Sequence, residues 1–234
     1  MTGPVPQRYR SPNWNERQLP VSMVVLHYTG MKSAEAALER LCDEEAGVSA
    51  HYLIDEDGTL FALVDEDKRA WHAGKSYWRG VTDINSASIG IELVNPGHEF
   101  GYRPFPDAQI NILIPLLADI MRRHDVPRAN VVAHSDIAPA RKEDPGELFP
   151  WDRLAEYRLC LPRPEKLRLG NPFDNDGAFY LALERFGYDV TDGRKAVAAF
   201  QRRWRPRCID GEVDGEVRAI LFALLLDRDR GTTR

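Results

Sequence analysis

Apolar residues along the chain follow two periods, and the switch between them marks the elements. "SMVVLHYTG" (22–30) is a β-branched and apolar run closed by a turn glycine, which predicts a buried strand. "SAEAALERLCDEE" (33–45) predicts a helix, with Ser33 as cap and Ala37, Leu38, Leu41 and Cys42 on one face. "AHYLIDEDGTLFALV" (50–64) reads as a hairpin, two apolar runs joined at Asp57-Gly58. "SASIGIELVN" (86–95) is a further strand. In "DAQINILIPLLADIMRRH" (107–124), Ile110, Leu113, Ile114, Leu117, Ile120 and Met121 fall at helical spacing, with Asp107 as cap and Pro115 expected to kink the helix. "NVVAH" (130–134) is a short buried strand.

The pattern changes toward the C-terminus. One more helix is expected around "WDRLAEYRLCL", followed by a proline-bearing stretch, 163–172, that reads as a linker. Three short amphipathic helices follow in "GAFYLALERFG", "GRKAVAAFQRRW" and "DGEVRAILFALLLDR". The expected organisation is a polar N-terminal arm (1–20), an α/β unit with helices on a mixed central sheet (21–162), the linker, and a three-helix unit (173–234).

Composition narrows the function. With 234 residues, 43% of them hydrophobic, the chain can bury a full core. A net charge of −5 argues against a nucleic-acid partner. The basic cluster Arg202, Arg203, Arg205 and Arg207 reads as a solvated face. Cys42, Cys160 and Cys208 are scattered, without a CxxC, so no disulfide framework is expected. No run is apolar enough to span a membrane or act as a leader, so a cytoplasmic location is expected, or a periplasmic one if a leader has been removed.

The segment "AHSDIAPARKEDPGELFPW" (133–151) concentrates the candidate chemistry. Pro139 and Pro145 make it a loop, and loops carry function more often than cores do. His27 and His134 each end a predicted strand, and Asp144 follows His134 across this loop. Two imidazoles and a carboxylate suit a catalytic zinc shell with the fourth position left for water. A histidine at a strand end is, taken singly, more often a hydrogen-bonded structural residue. Lys142 is placed to stabilise an oxyanion. Glu92 is a carboxylate within an apolar strand, read either as an ion pair to an arginine or as a general base.

"VVLHYTG", "SAHYLIDEDGTLFALV", "AWHAG", "SIGIELVN" and "VVAHSDIAPARKEDPGELFPW" together resemble the zinc-dependent N-acetylmuramoyl-L-alanine amidases of the amidase-2 group, which share a fold with the peptidoglycan recognition proteins. The resemblance covers roughly residues 20–160. "AVAAFQRRWRP" and "DGEVDGEVRAILFALL" are similar to a three-helix peptidoglycan-binding module. The resemblance implies Zn²⁺ on His27, His134 and Asp144, Glu92 as the base that takes a proton from water, and Lys142 as the transition-state stabiliser. It also implies substrate contacts at Trp71, His72 and Ala73. His51 is read as structural or cleft-side rather than as a ligand, and His98 and His124 as solvated. The implied substrates are peptidoglycan fragments, cut between N-acetylmuramic acid, in its 1,6-anhydro form, and L-alanine, in cell-wall recycling. The alternatives are an exported wall-remodelling amidase and a non-catalytic peptidoglycan sensor.

Overall fold

The N-terminal stretch, polar in composition, meets its hydrogen-bonding needs by joining sheets. The computed structural model describes residues 4, 6–165, 167, 172, 173 and 175–231, with side chains up to 227. β1 (Gln7–Arg8) lies parallel to β5 (Leu60–Ala62), and β2 (Trp14–Glu16) pairs antiparallel with β6 (Lys68–Ala70) in a separate ribbon. Asn13, buried between them, donates from Nδ2 to the carbonyls of Asp43 (2.7 Å) and Val48 (2.8 Å).

The main sheet also holds β3 (Met23–Tyr28), β4 (Tyr52–Ile54), β7 (Ser88–Leu93) and β8 (Val131–Ala133), in the order β1-β5-β4-β7-β3-β8. The β4–β5 hairpin is antiparallel, and its turn glycine, Gly58, sits at φ +89° as the Asp-Gly signal requires. The β4–β7, β7–β3 and β3–β8 pairs are parallel, so the sheet is mixed. Parallel neighbours need long crossovers. These carry α1 (Ala34–Cys42), whose first turn Ser33 caps by accepting from the Ala36 N–H at 3.2 Å, and later α4 (Asp107–His124).

Several boundaries differ from the pattern-based expectation. The strand expected over 86–95 starts at Ser88, because α2 (Ile84–Ala87) precedes it with Asp83 as its cap. After β7 comes α3 (Gly97–Phe100). Asp107 is the first residue of α4 and not its cap; Pro106 takes that position, and the Asp107 carboxylate pairs with Arg153. Pro115 does not interrupt the helix. It and Asn111, whose carbonyl loses its helical donor to the proline, both lie on the exposed side. Past β8 come α5 (His134–Ile137) and α6 (Trp151–Glu156).

Alternation along the central strands separates two cores. Val24, Leu26, Ile89, Ile91, Leu93, Val131 and Ala133 face one side, where Ile110, Leu113, Leu117 and Ile120 of α4 cover them. Met23, Val25 and Val132 belong to the other side. There they join Trp78, Ile84 and Ile137 in one buried cluster with residues of α7 (Asp176–Phe186), α8 (Gly193–Trp204) and α9 (Gly215–Gly231). Half of the expected linker, residues 166 and 168–171, lies outside the described residues. Among the described residues no helix is long and apolar enough to cross a membrane.

Trp78 reports on this shared core. It is 2% exposed and meets Tyr188 and Phe186 edge-on at 5.2 and 6.2 Å. Trp78→Ala is expected to cost about 3–5 kcal/mol and to shift one cooperative denaturant transition of the whole chain. Two separated transitions, only one of them shifted, would show that the C-terminal helices fold on their own.

Candidate metal centre and cleft

Strand register brings the first pair of functional side chains together. In the parallel β3–β7 pair, His27 stands opposite Glu92, so both side chains leave the same face at the C-terminal ends of their strands. β8 lies on the other side of β3, and its last residue, Ala133, pairs with Leu26, which delivers His134 beside His27. The loop then returns Asp144 to the same point, where the Ser135 N–H donates to the Asp144 carbonyl at 2.9 Å.

His27 Nδ1, His134 Nδ1 and Asp144 Oδ2 converge. His27 Nδ1 lies 2.9 Å from His134 Nδ1 and 3.1 Å from Asp144 Oδ2, and His134 Nδ1 lies 2.9 Å from that same oxygen. All three residues are buried. A tetrahedral shell with bonds of roughly 2.0–2.1 Å has ligand–ligand edges of about 3.3 Å, so this triangle needs only slight widening to hold a metal ion. Among the described residues no other group of histidine, cysteine and acidic side chains converges in this way.

The opposite ring nitrogens fix which atoms carry lone pairs. His134 Nε2 faces the Ala73 carbonyl at 3.2 Å, an acceptor, so its proton sits there and Nδ1 is free. The Ser88 hydroxyl donates to the Ile84 carbonyl (2.6 Å), leaving its oxygen to accept from His72 Nε2 (3.1 Å). His72 Nδ1 then accepts from His27 Nε2 at 3.0 Å, which leaves His27 Nδ1 as a second lone pair aimed at the metal position. Asn85 Oδ1 anchors this layer by accepting from the backbone N–H groups of His72 (3.0 Å) and Ala73 (2.7 Å).

Electrostatics agree with this assignment. Burial foremost, and then His134, lowers His27 to about 4, so its ring is neutral near pH 7. Burial would raise Asp144, but charge and hydrogen bonds from His134 and His27 hold the carboxyl well below the ordinary range wherever their Nδ1 atoms carry protons, the positions a cation would take over. Glu92 is raised well above its ordinary value by burial and by Asp144, with Lys142 opposing. Among the described residues its enclosed Oε2 has no hydrogen-bond partner, and no arginine forms the ion pair considered for it. Glu92, Lys142, Asp144, His134 and Trp71 line one cleft of about 390 Å³.

The family model for N-acetylmuramoyl-L-alanine amidase, amidase-2, matches residues 17–147. The chain belongs to the N-acetylmuramoyl-L-alanine amidase family. It is 39% identical over 231 residues to N-acetylmuramoyl-L-alanine amidase AmiD of Escherichia coli strain K12, with 88% of this chain and 82% of that one covered. The solved complex of that E. coli enzyme with anhydro-N-acetylmuramic acid-L-Ala-D-γ-Glu-L-Lys matches with a TM-score of 0.78 at 38% identity, covering 91% and 92% of the two chains. The complex of AmpDh3 from Pseudomonas aeruginosa with anhydromuramic pentapeptide matches with a TM-score of 0.81 at 33% identity, covering 89% and 92%.

The "AWHAG" residues of this amidase divide by depth. Trp71 lines the cleft, and its indole N–H donates to Asn15 Oδ1 at 3.0 Å. His72 lies at the cleft floor, largely buried, and its ring is spent on His27 and Ser88. Ala73 is fully buried behind the cleft wall, and its carbonyl faces His134 Nε2. His51 is structural, accepting the Gly90 N–H at Nδ1 (2.9 Å) and meeting the Lys68 carbonyl at Nε2 (3.1 Å). Neither remaining histidine is simply solvated. His98 stacks on Tyr102 at 4.4 Å, and His124 meets Glu66 at 2.6 Å.

The pattern-based reading passed over Ser88, Asn85 and Gly90, which support the ligands from behind. Gly90 had a signal, a residue without a side chain amid "SIGIEL". A Cβ there would lie 2.5 Å from the His72 ring. Gly90→Ala is therefore expected to push His72 off His27 and lower metal affinity by roughly 10–100-fold, read by zinc titration of the metal-free protein. Unchanged affinity would show that the His72 contact does not orient His27.

Acid should destabilise the metal-free protein. His51 is lowered to about 3 and His72 well below its ordinary value, both by burial first, as for His27. As pH falls below about 6.5, the ordinary histidine value, the unfolded chain protonates three imidazoles that stay neutral when folded. Glu92, raised, opposes with one proton held only in the folded state. The unfolded chain thus binds more protons, and stability should fall with pH by on the order of 2 kcal/mol per unit. Urea unfolding at pH 7 and pH 5 reads this directly; equal midpoints would contradict it.

Proposed function

We propose that this amidase binds zinc through His27, His134 and Asp144 and cuts the amide between N-acetylmuramic acid and L-alanine in peptidoglycan fragments. We further infer that the 1,6-anhydro form is its preferred substrate, in cell-wall recycling. The observation that carries the reading is the convergence of three lone-pair donors within 3.1 Å at one end of a cleft that Glu92 and Lys142 also line. Its donor set, two imidazoles and one carboxylate, is that of an open hydrolytic zinc site. The relatives solved with anhydro-muramyl peptides support the substrate class.

Zinc bound there would supply Lewis acidity, lowering the pKa of a water toward neutrality and polarising a carbonyl. His27 and His134 hold their ring protons away from the metal position, on His72 and Ala73, and so act as neutral donors. Glu92 has an oxygen unpartnered among the described residues and a proton affinity raised by burial, both suited to a general base. It takes a proton from the attacking water and passes it to the nitrogen of L-alanine as the amide bond breaks. Lys142 supplies a cation for the carbonyl oxygen as that atom gains negative charge. Trp71 offers the sugar or the peptide an apolar wall.

The roles separate by mutation. His27→Ala or Asp144→Ala should lose bound zinc and turnover together. Glu92→Gln should retain zinc and lose roughly 10²–10⁴-fold in kcat. A Glu92→Gln enzyme turning over at the wild-type rate would remove Glu92 from the mechanism. The substrate form is tested by mass spectrometry on an anhydro-muropeptide and on intact sacculi, each with and without chelator. Chelator-sensitive release of peptide from the small substrate alone is expected. Equal release from sacculi would overturn the preference for fragments, and no release from either would favour a sensor.

A further inference from the structure

We propose that Arg203, on α8, and Tyr188, in the connection between α7 and α8, are positioning residues for the metal ligands, acting through the buried carboxylate of Asp136. The inference rests on the metal reading of His27, His134 and Asp144.

Asp136 is fully buried, two positions after His134. Its Oδ2 accepts the backbone N–H of Ala133 at 2.9 Å, the residue just before the ligand. The same oxygen accepts from Arg203 Nη1 at 2.6 Å, and Oδ1 accepts from the Tyr188 hydroxyl at 2.5 Å. Arg203 Nη2 donates to the Val131 carbonyl at 3.1 Å, so one guanidinium grips the segment on both sides of His134. That guanidinium is itself held between rings, 3.9 Å from the centre of Trp151 and 4.6 Å from that of Trp204. Its neighbour Arg202 meets Glu143, the residue before Asp144, at 2.9 Å.

α5, the element that begins with His134, is four residues long. A single turn has no stability of its own, so its orientation must be imposed from outside. Two of the three donors on Asp136 come from residues 188 and 203 and one from the local backbone. A buried carboxylate stripped of its cation would seek water or another donor and would drag the Ala133–His134 junction with it. Ser135, next in line, holds the Asp144 carbonyl, so a shift of this turn moves two of the three ligands at once.

The test uses the full-length chain. Metal-free wild type, Tyr188→Phe, Arg203→Met and Arg203→Lys are titrated with zinc against a chelating dye. Thermal melts and kcat and KM on an anhydro-muropeptide accompany each titration. Arg203→Met should lose roughly 10–100-fold in zinc affinity, the scale of supporting contacts around metal ligands, with kcat falling and KM little changed. Arg203→Lys should recover part of the loss, and Tyr188→Phe, which removes one hydroxyl, should show a smaller loss without a large change in melting. Should Arg203→Met fail to fold, Tyr188→Phe decides. Wild-type zinc affinity and kcat in the folded variants, even with lowered melting temperature, would overturn the inference and leave a purely structural clamp. A wild type that takes up no zinc would overturn the metal reading itself.

Discussion

Two imidazole nitrogens and a carboxylate oxygen that present lone pairs to one another at about 3 Å are costly inside a protein unless a cation shares the space. Much of the fold exists to hold that arrangement. Parallel pairing of β3 with β7 and β8 places His27 and His134 side by side at strand ends. The proline-bearing loop returns Asp144 to them, and a layer of His72, Ser88, Asn85 and Ala73 commits the far ring nitrogens as donors. Gly90 leaves the room in which His72 stands.

Three acidic side chains within this small region have different roles because their surroundings differ. Asp136 accepts from three donors and is tied down. Asp144 turns one oxygen to the Nδ1 atoms of two histidines, the place of a third donor around one point. Glu92 has an oxygen with no partner among the described residues and a raised proton affinity, the features that suit it to the proton transfer proposed above. The same functional group thus meets three different environments, and the difference lies in the number and charge of the groups around it.

The C-terminal helices resemble a module for binding wall polymer, yet their buried face is spent on the catalytic unit. Phe179, Phe186, Phe200 and Trp204 share a cluster with Val25 and Val132 of the central sheet. The arginine run expected to face solvent divides accordingly. Arg203 and Arg205 are each 5% exposed and paired with Asp136 and Asp214, while Arg207 remains outside. A basic run on an amphipathic helix looks solvated until a buried carboxylate from a distant segment is known to meet it.

The sequence by itself determined what local chemistry can determine. Turn signals such as Asp57-Gly58 and apolar alternation located the strands and helices. The motifs around His27, Glu92 and His134–Asp144 marked the residues that converge on the cleft, and resemblance to a family, not periodicity, suggested a role for each; the single turn α5 at His134–Ile137 was not foreseen in a segment read as a loop. Tertiary structure alone decided everything that depends on separation in space. It placed the Ala73 carbonyl against His134, made His72 a support for His27, and brought Arg203 and Tyr188 to Asp136 across more than fifty residues. Periodicity reports which face of an element is apolar, but it carries no record of which distant polar group that face will bury.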